Sequence, residues 1–211
     1  MILEQLVVSP FQSNCWILGC DETREGVVID PGDEAERILK SVQAHELSIK
    51  HLIHTHGHLD HVGATATVQR ETGSLMLIHE ADQVMLDNLV VQATMFGAEE
   101  PESPSVSRYL REGDNISFGL YTLSVIETPG HSPGGVCLKL ETDGPGLFAG
   151  DTIFRGSIGR TDLWGASYKQ LIGSIRDKLW SLPDDTIIYP GHGPRTALGE
   201  EKQNNPFLQG L

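Results

Sequence analysis

The sequence predicts an α/β layered fold, on two observations. Short apolar runs of strand character alternate with helical patterns through both halves of the chain, with turn residues between them. No linker of flexible composition divides the 211 residues, so the expected organisation is a single domain over 1–211.

The elements follow in order. Residues 2–8, 15–18 and 26–30 read as short strands separated by turn residues. Pro31-Gly32-Asp33 is a turn, and Asp33 is the expected cap of a helix carried by Ala35, Ile38, Leu39 and Val42. A compact strand is expected at 49–54, then a helix over 62–72 closed by Gly73, then a strand at 75–78. Residues 80–96 look helical, and 99–107, rich in Glu, Pro and Ser, is a surface loop. Strands are expected at 116–118, 121–127, 136–140 and 147–149. A helix at 168–179, a strand at 186–189 and a last helical turn at 199–202 complete the pattern.

Composition narrows the function. With 39% hydrophobic and 21% charged residues the chain is of ordinary globular type. A formal net charge of −14 argues against binding nucleic acid or an anionic membrane, because both need Lys/Arg stripes. It leaves open an anionic small substrate, since a metal centre dominates the field in its own cleft. The first ten residues carry no Lys or Arg and too few apolar positions for a signal peptide; no later run reaches membrane-spanning length. The expected compartment is the cytoplasm. Cys15, Cys20 and Cys137 form no disulfide framework and no CxxC zinc spacing, and are read as small buried hydrophobes.

The chemistry concentrates in four places. Thr55-His56-Gly57-His58-Leu59-Asp60-His61 sets four potential ligands within six positions, directly after an expected strand and before an expected helix. A tight loop with Gly57 can turn several of them inward, which regular structure would not do. Pro129-Gly130-His131, Gly150-Asp151 and Pro190-Gly191-His192 repeat the theme, each with a Gly directly before a His or Asp at a strand end. Neutral imidazole with carboxylate suits Zn²⁺, and Fe or Mn less well. Five histidines and two aspartates gathered without a metal would be costly to desolvate. His45, His51, His54 and His79 lack this context and are assigned structural roles, with His54 closest to the motif.

Taken in order, THGHLDH, PGHSPGG, FAGDT and PGHGP make the chain similar to the metallo-β-lactamase superfamily over nearly its whole length. Within it, the chain resembles the glyoxalase II (hydroxyacylglutathione hydrolase) group, nearest its compact bacterial members. The resemblance implies a four-layer αβ/βα sandwich of two mixed sheets flanked by helices. It implies two divalent metal ions, Zn²⁺ first, with Fe or Mn as alternatives. His56, His58 and His131 would bind one ion, Asp60, His61 and His192 the other, and Asp151 would bridge them.

Two metals roughly 3.5–4 Å apart hold a water and lower its pKa from 15.7 toward about 7. The ligand set does not read the substrate; the resemblance implies attack of a metal-bridging hydroxide on a thioester, with a thiolate of pKa near 8.5 leaving with little acid assistance. Asp60 is the candidate to act as proton acceptor as well as ligand. The small-molecule substrate implied by the resemblance is S-(2-hydroxyacyl)glutathione, cleaved to glutathione and a hydroxy acid. Larger members of the group hold glutathione with a Lys and a Tyr shortly after the GDT segment; the corresponding places here are Arg160 and Asp162. Arg160 can pair with a carboxylate in a fork geometry. Asp162 cannot replace the Tyr as a donor. The larger members also carry a C-terminal helical domain with further basic residues, which has no counterpart in this sequence.

Two rival readings are carried forward. A mononuclear iron persulfide dioxygenase shares the fold and a Gly-Arg-Thr-Asp segment, but Pro190-Gly191-His192-Gly193-Pro194 is the hydrolase-like form of the last motif. A non-catalytic metal-binding module would need coordinatively closed sites, whereas this donor set leaves room for water.

Overall fold

The computed structural model describes residues 1–142 and 146–211. Its first sheet runs β1 (Ile2–Val8), β2 (Ser13–Gly19), β3 (Glu25–Ile29), β4 (Ser48–Ile53), β5 (Leu75–His79) and β6 (Val106–Leu110), side by side in that order. The first two pairings are antiparallel and the remaining three parallel. The second sheet contains β7 (Asn115–Phe118), β8 (Tyr121–Glu127), β9 (Val136–Leu140), β10 (Gly146–Gly150), β13 (Ile187–Pro190) and β14 (Thr196–Ala197). Only β10 and β13 pair in parallel there. A short hairpin, β11 (Ile153–Phe154) with β12 (Ser157–Ile158), lies between β10 and the next helix. Both sheets are thus mixed, as expected.

Strand alternation explains the layering. In β2, Trp16 and Leu18 enter the core between the sheets, while Cys15 and Ile17 face the helices outside. In β9, Val136, Leu138 and Leu140 point between the sheets and Cys137 points outward; in β10, Phe148 points in and Leu147 and Ala149 out. The central strands of each sheet are therefore buried on both faces, which is why β2 and β10 read as nearly unbroken apolar runs. The outer layer on the first sheet is α1 (Ala35–Ala44) and α3 (Thr65–Thr72), with α2 (Leu59–Val62), α4 (Gln83–Asp87) and α5 (Leu89–Phe96) beside them. On the second sheet it is α6 (Tyr168–Ser174) and α7 (Leu198–Asn204). The result is four layers, αβ/βα. Among the described residues no helix is long and apolar enough to cross a membrane.

Several boundaries differ from expectation, each for a local reason. The helix expected over 62–72 is two, because Gly63 packs on the Gly32 carbonyl; a Cβ at Gly63 would come within 2.5 Å of that oxygen. The helix expected over 80–96 is a 3-10 turn followed by α4 and α5, bent at Asn88, whose backbone leaves the helical region (φ −113°, ψ 21°). Asp33 does not cap α1: its Oδ1 accepts from the Glu34 amide, and Glu34 itself takes the cap position at φ 54° without a side-chain cap. The helix expected over 168–179 widens into a π turn at Ile175–Leu179. The loop placed at 99–107 ends early, since β6 begins at Val106. The hairpin and β14 were not expected, because strands of two residues carry no periodicity.

Parallel pairing of β3, β4 and β5 brings their carboxyl ends to one edge, and the ends of β10 and β13 lie together in the second sheet. Crevices at the carboxyl ends of parallel strands are where α/β sheets bind ligands.

Candidate metal centre

All seven sequence-predicted metal residues converge at that edge. His56, His58 and His131 offer ring nitrogens within 4.8 Å of one another, and so do Asp60, His61 and His192 with their nitrogens and a carboxylate oxygen. Asp151 sits between the groups: Oδ1 is 3.5 Å from His61 Nε2, and Oδ2 is 3.5 Å from His131 Nε2 and 3.6 Å from His192 Nε2. Asp60 Oδ2 is 3.1 Å from His192 Nε2 and 3.5 Å from His61 Nε2.

The glycines before these residues have specific reasons. A Cβ at Gly191 would stand 2.2 Å from Asp151 Oδ1. Gly150 holds φ +47°, and a Cβ there would stand 2.3 Å from Thr55 Oγ1. Any side chain at either place would push the loops apart.

Residues behind the rings aim them. His131 Nδ1 donates to the Arg160 carbonyl at 2.8 Å, leaving Nε2 as the lone-pair nitrogen. His61 Nδ1 faces Asp30 Oδ2 at 3.1 Å, which directs Nε2 at Asp60 and Asp151. Thr55 Oγ1 donates to Asp30 Oδ2 at 2.6 Å and lies 3.1 Å from His56 Nδ1, so His56 turns its Nε2 inward. That Nε2 is buried and has no hydrogen-bond partner, and neither has Asp151 Oδ1. Two orphaned buried acceptors, one in the first donor set and one on the carboxylate between the sets, fit bound cations.

The electrostatics agree. Burial, followed by the neighbouring imidazoles, holds His56 well below the usual histidine range. Burial and then His131 bring His58 down to about 3. Both rings are therefore neutral and able to donate lone pairs near pH 7. At His61 burial opposes protonation, but the carboxylates of Asp60, Asp151 and Asp30 outweigh it and push the ring up to about 10. Burial would raise Asp60, yet His61 and His192 hold it well below the usual carboxylate range. The pocket gathers positive charge on a proton where a divalent cation would supply it directly.

Asp30, His56 and His61 form a third group within 4.8 Å. Asp30 is a support and not a donor to a cation, because its oxygens already accept from the Thr55 amide (2.8 Å), the Thr55 hydroxyl and His61. Sequence reasoning missed it: Asp30 stands at a strand end before Pro31-Gly32, but it follows Ile29 and lacks the preceding glycine of the other clusters. Asp82 was missed as well, and nothing in its sequence context marks it. Buried beneath the loops, it accepts from the Gly57 amide (2.9 Å), Ser132 Oγ (2.7 Å) and the Gly134 amide (2.6 Å), tying the two histidine loops together. Asp82→Ala strands three donors and is expected to cost about 3 kcal/mol of stability. Urea unfolding measures it; an unchanged midpoint would assign Asp82 no such role.

His54, His45 and His79 lie outside the donor groups and have partners of their own. His54 is fully buried, with Nδ1 3.2 Å from the His61 carbonyl and Nε2 3.3 Å from Thr65 Oγ1, and burial brings it down to about 4. His45 pairs with Glu4 at 2.7 Å and His79 with Glu127 at 3.2 Å. The three thiols are buried and free. Arg160 lines the cleft, with Nε and Nη2 on the two Asp162 oxygens at 2.9 Å each.

Comparison with known proteins agrees with this geometry. The profile of the metallo-beta-lactamase superfamily matches residues 8–192. A Haemophilus influenzae protein named hydroxyacylglutathione hydrolase GloC is 39% identical over 210 residues, covering 99% of this chain and 98% of its own. The crystal structure of BLEG-1 B3 metallo-beta-lactamase superposes with a TM-score of 0.92 at 34% identity, covering 99% of this chain and all of that one (100%). The protein TTHA1623, solved in a di-iron-bound form, gives 0.89 at 38% identity over 97% of this chain and 100% of its own. Fold, donor constellation and sequence therefore place this chain in the metallo-beta-lactamase superfamily.

Proposed function

We propose that the chain is a metal-dependent thioester hydrolase that cleaves S-(2-hydroxyacyl)glutathione to glutathione and a hydroxy acid. The observation that carries this reading is the meeting of five histidines and two aspartates, two of them with orphaned buried acceptors, at the floor of one cleft that His58, Asp60, His131, Asp151 and His192 line. His56, His58 and His131 would hold one divalent ion, Asp60, His61 and His192 a second, with Asp151 shared. Bound there, such a pair supplies a water of lowered pKa and a Lewis acid for a carbonyl oxygen. Zn²⁺ is our first assignment from the donor set, and the di-iron form of a 38% identical chain supports iron as the alternative.

The chain's own groups do the rest. Asp60 lines the cleft with Oδ2 toward His192, placed to accept the proton released as water adds to the thioester carbon. One C–O bond forms and one C–S bond breaks, consuming one water and releasing a carboxylate, a thiol and one proton. The thiolate needs little acid help because its pKa is near 8.5. Cys15, Cys20 and Cys137 are buried outside the cleft, so no thiol competes as nucleophile. We assign Arg160 to the glutathione carboxylate, in exchange with its present partner Asp162. Free buried thiols fit a reducing compartment, and we place the enzyme in the cytoplasm.

The test is metal-loaded protein against acyl-glutathione and acyl-CoA thioesters, with metal content measured in parallel. Turnover of roughly 1–10³ s⁻¹ on acyl-glutathione, lost on chelation and restored by metal, is expected. Oxygen uptake with glutathione persulfide by the iron form would select the dioxygenase instead. No turnover of any substrate with both metals bound would leave a binding module.

A further inference from the structure

The cleft over the proposed centre encloses about 610 Å³, and its outer wall is unusually apolar for a site that would bind a hydroxyacyl group. Helix α5 has the sequence LVVQATMF; Leu89 and Ala93 are buried against the sheet, while Met95 is 74% exposed and Val91, one turn earlier, is also exposed. Phe96 meets Phe11 edge to face at 5.4 Å, and Leu163 and Trp164 line the cleft as well, with Trp164 67% exposed. These six side chains surround the same space that His58, Asp60, His131, Asp151 and His192 open into.

Most polar groups on that wall already have a partner within the chain. Gln92 Oε1 accepts from the Leu59 amide at 2.9 Å, and Nε2 donates to the Met85 carbonyl at 2.9 Å. Asn88 Nδ2 donates to the Val84 carbonyl at 2.8 Å. Arg160, the cation of the lining, is engaged by Asp162. A hydroxyl on the acyl group would meet few polar groups along this wall, Asn88 among them, whereas methylenes meet Val91, Met95, Phe96 and Trp164. Methionine, flexible and polarisable, adapts to chains of different length.

We propose that the preferred substrates are thioesters of extended apolar acyl chains, with the chain laid along α5 between Phe11 and Trp164. This rests on the thioesterase reading and changes its acyl group. The acyl carbon lies at the proposed metal centre and the chain leads outward over Val91 and Met95. Full burial of a methylene is worth about fourfold in affinity, and on this half-open wall about twofold is expected.

The test uses metal-loaded protein and non-hydrolysable S-alkylglutathiones from methyl to hexyl, followed by the fluorescence of Trp164, with Trp164→Phe as the control for signal from Trp16 and Trp180. Affinity is expected to rise roughly thirtyfold across the series, at about twofold per methylene. The acyl-glutathione series from acetyl to hexanoyl should show the same slope in kcat/KM. The doubly substituted protein Val91→Thr, Met95→Gln, at exposed positions and of similar volume, should flatten both slopes. A flat alkyl series overturns this inference and leaves hydrolysis of short thioesters untouched. Rising affinity without turnover of any thioester overturns the thioesterase reading and leaves the apolar wall in place. A flat series in a protein whose dimer is broken by Met95→Gln would assign this face to a second copy of the chain and overturn the proposal.

Discussion

Asp151→Ala is expected to reduce bound metal from two ions per chain to one or fewer and to lower turnover by roughly 10³-fold. Its carboxylate is the group that reaches both donor sets, at 3.5 Å from His61 Nε2 and 3.5 Å from His131 Nε2. The stability of the metal-free protein should move in a different way. Asp151 Oδ1 has no hydrogen-bond partner and faces the buried His61 ring at 3.5 Å as a counter-charge, so its removal should cost about 1–3 kcal/mol, less than the loss of a fully hydrogen-bonded carboxylate. Loss of metal and activity with most of the stability kept is the signature of a residue retained chiefly for the site. Metal analysis, steady-state kinetics and urea unfolding of the apo-protein read the three quantities. Two ions per chain with full turnover in the variant would remove Asp151 from the centre.

Asp30→Ala should show the opposite balance. Here the carboxylate is fully engaged, by the Thr55 amide, the Thr55 hydroxyl and His61 Nδ1, and it is buried. Removing it leaves a buried ring and a backbone amide without their acceptor, which should cost about 3–5 kcal/mol. With His61 free to turn, metal affinity should fall by roughly 10–100-fold while stoichiometry at saturating metal stays the same. Chelator competition separates the two readings of this residue. A support changes affinity; a metal ligand would change the number of ions held. Unaltered affinity together with unaltered stability would show that His61 is aimed by something else.

Much of the site was legible because its residues announce themselves locally. A His or Asp placed after Gly at the end of an apolar run is rare enough that four such places point to one centre. His58, His131, Asp151 and His192 carried that mark, His56, Asp60 and His61 stood within four residues of Gly57 in the same loop, and all seven meet. Asp82 carried none. Its importance comes from three donors on residues 57, 132 and 134, which are distant in sequence and adjacent only after folding. Arg160 shows the same limit from the other side. Its backbone carbonyl orients His131, a role that no side-chain pattern can display.

Element order was likewise readable from periodicity, but breaks in the helices were not. The bend at Asn88 and the break at Gly63 arise from packing against other segments, the second from the Gly32 carbonyl. By itself, the order of apolar runs and turns determined two α/β halves, and the spacing of His, Asp and Gly singled out the residues we propose for the centre. Tertiary structure alone decided which nitrogen each ring turns inward, which carboxylates brace and which stay open, and that the cleft wall is apolar. The reason is physical: residue type and spacing are local properties, whereas hydrogen-bond satisfaction and burial are set by groups brought together from far along the chain.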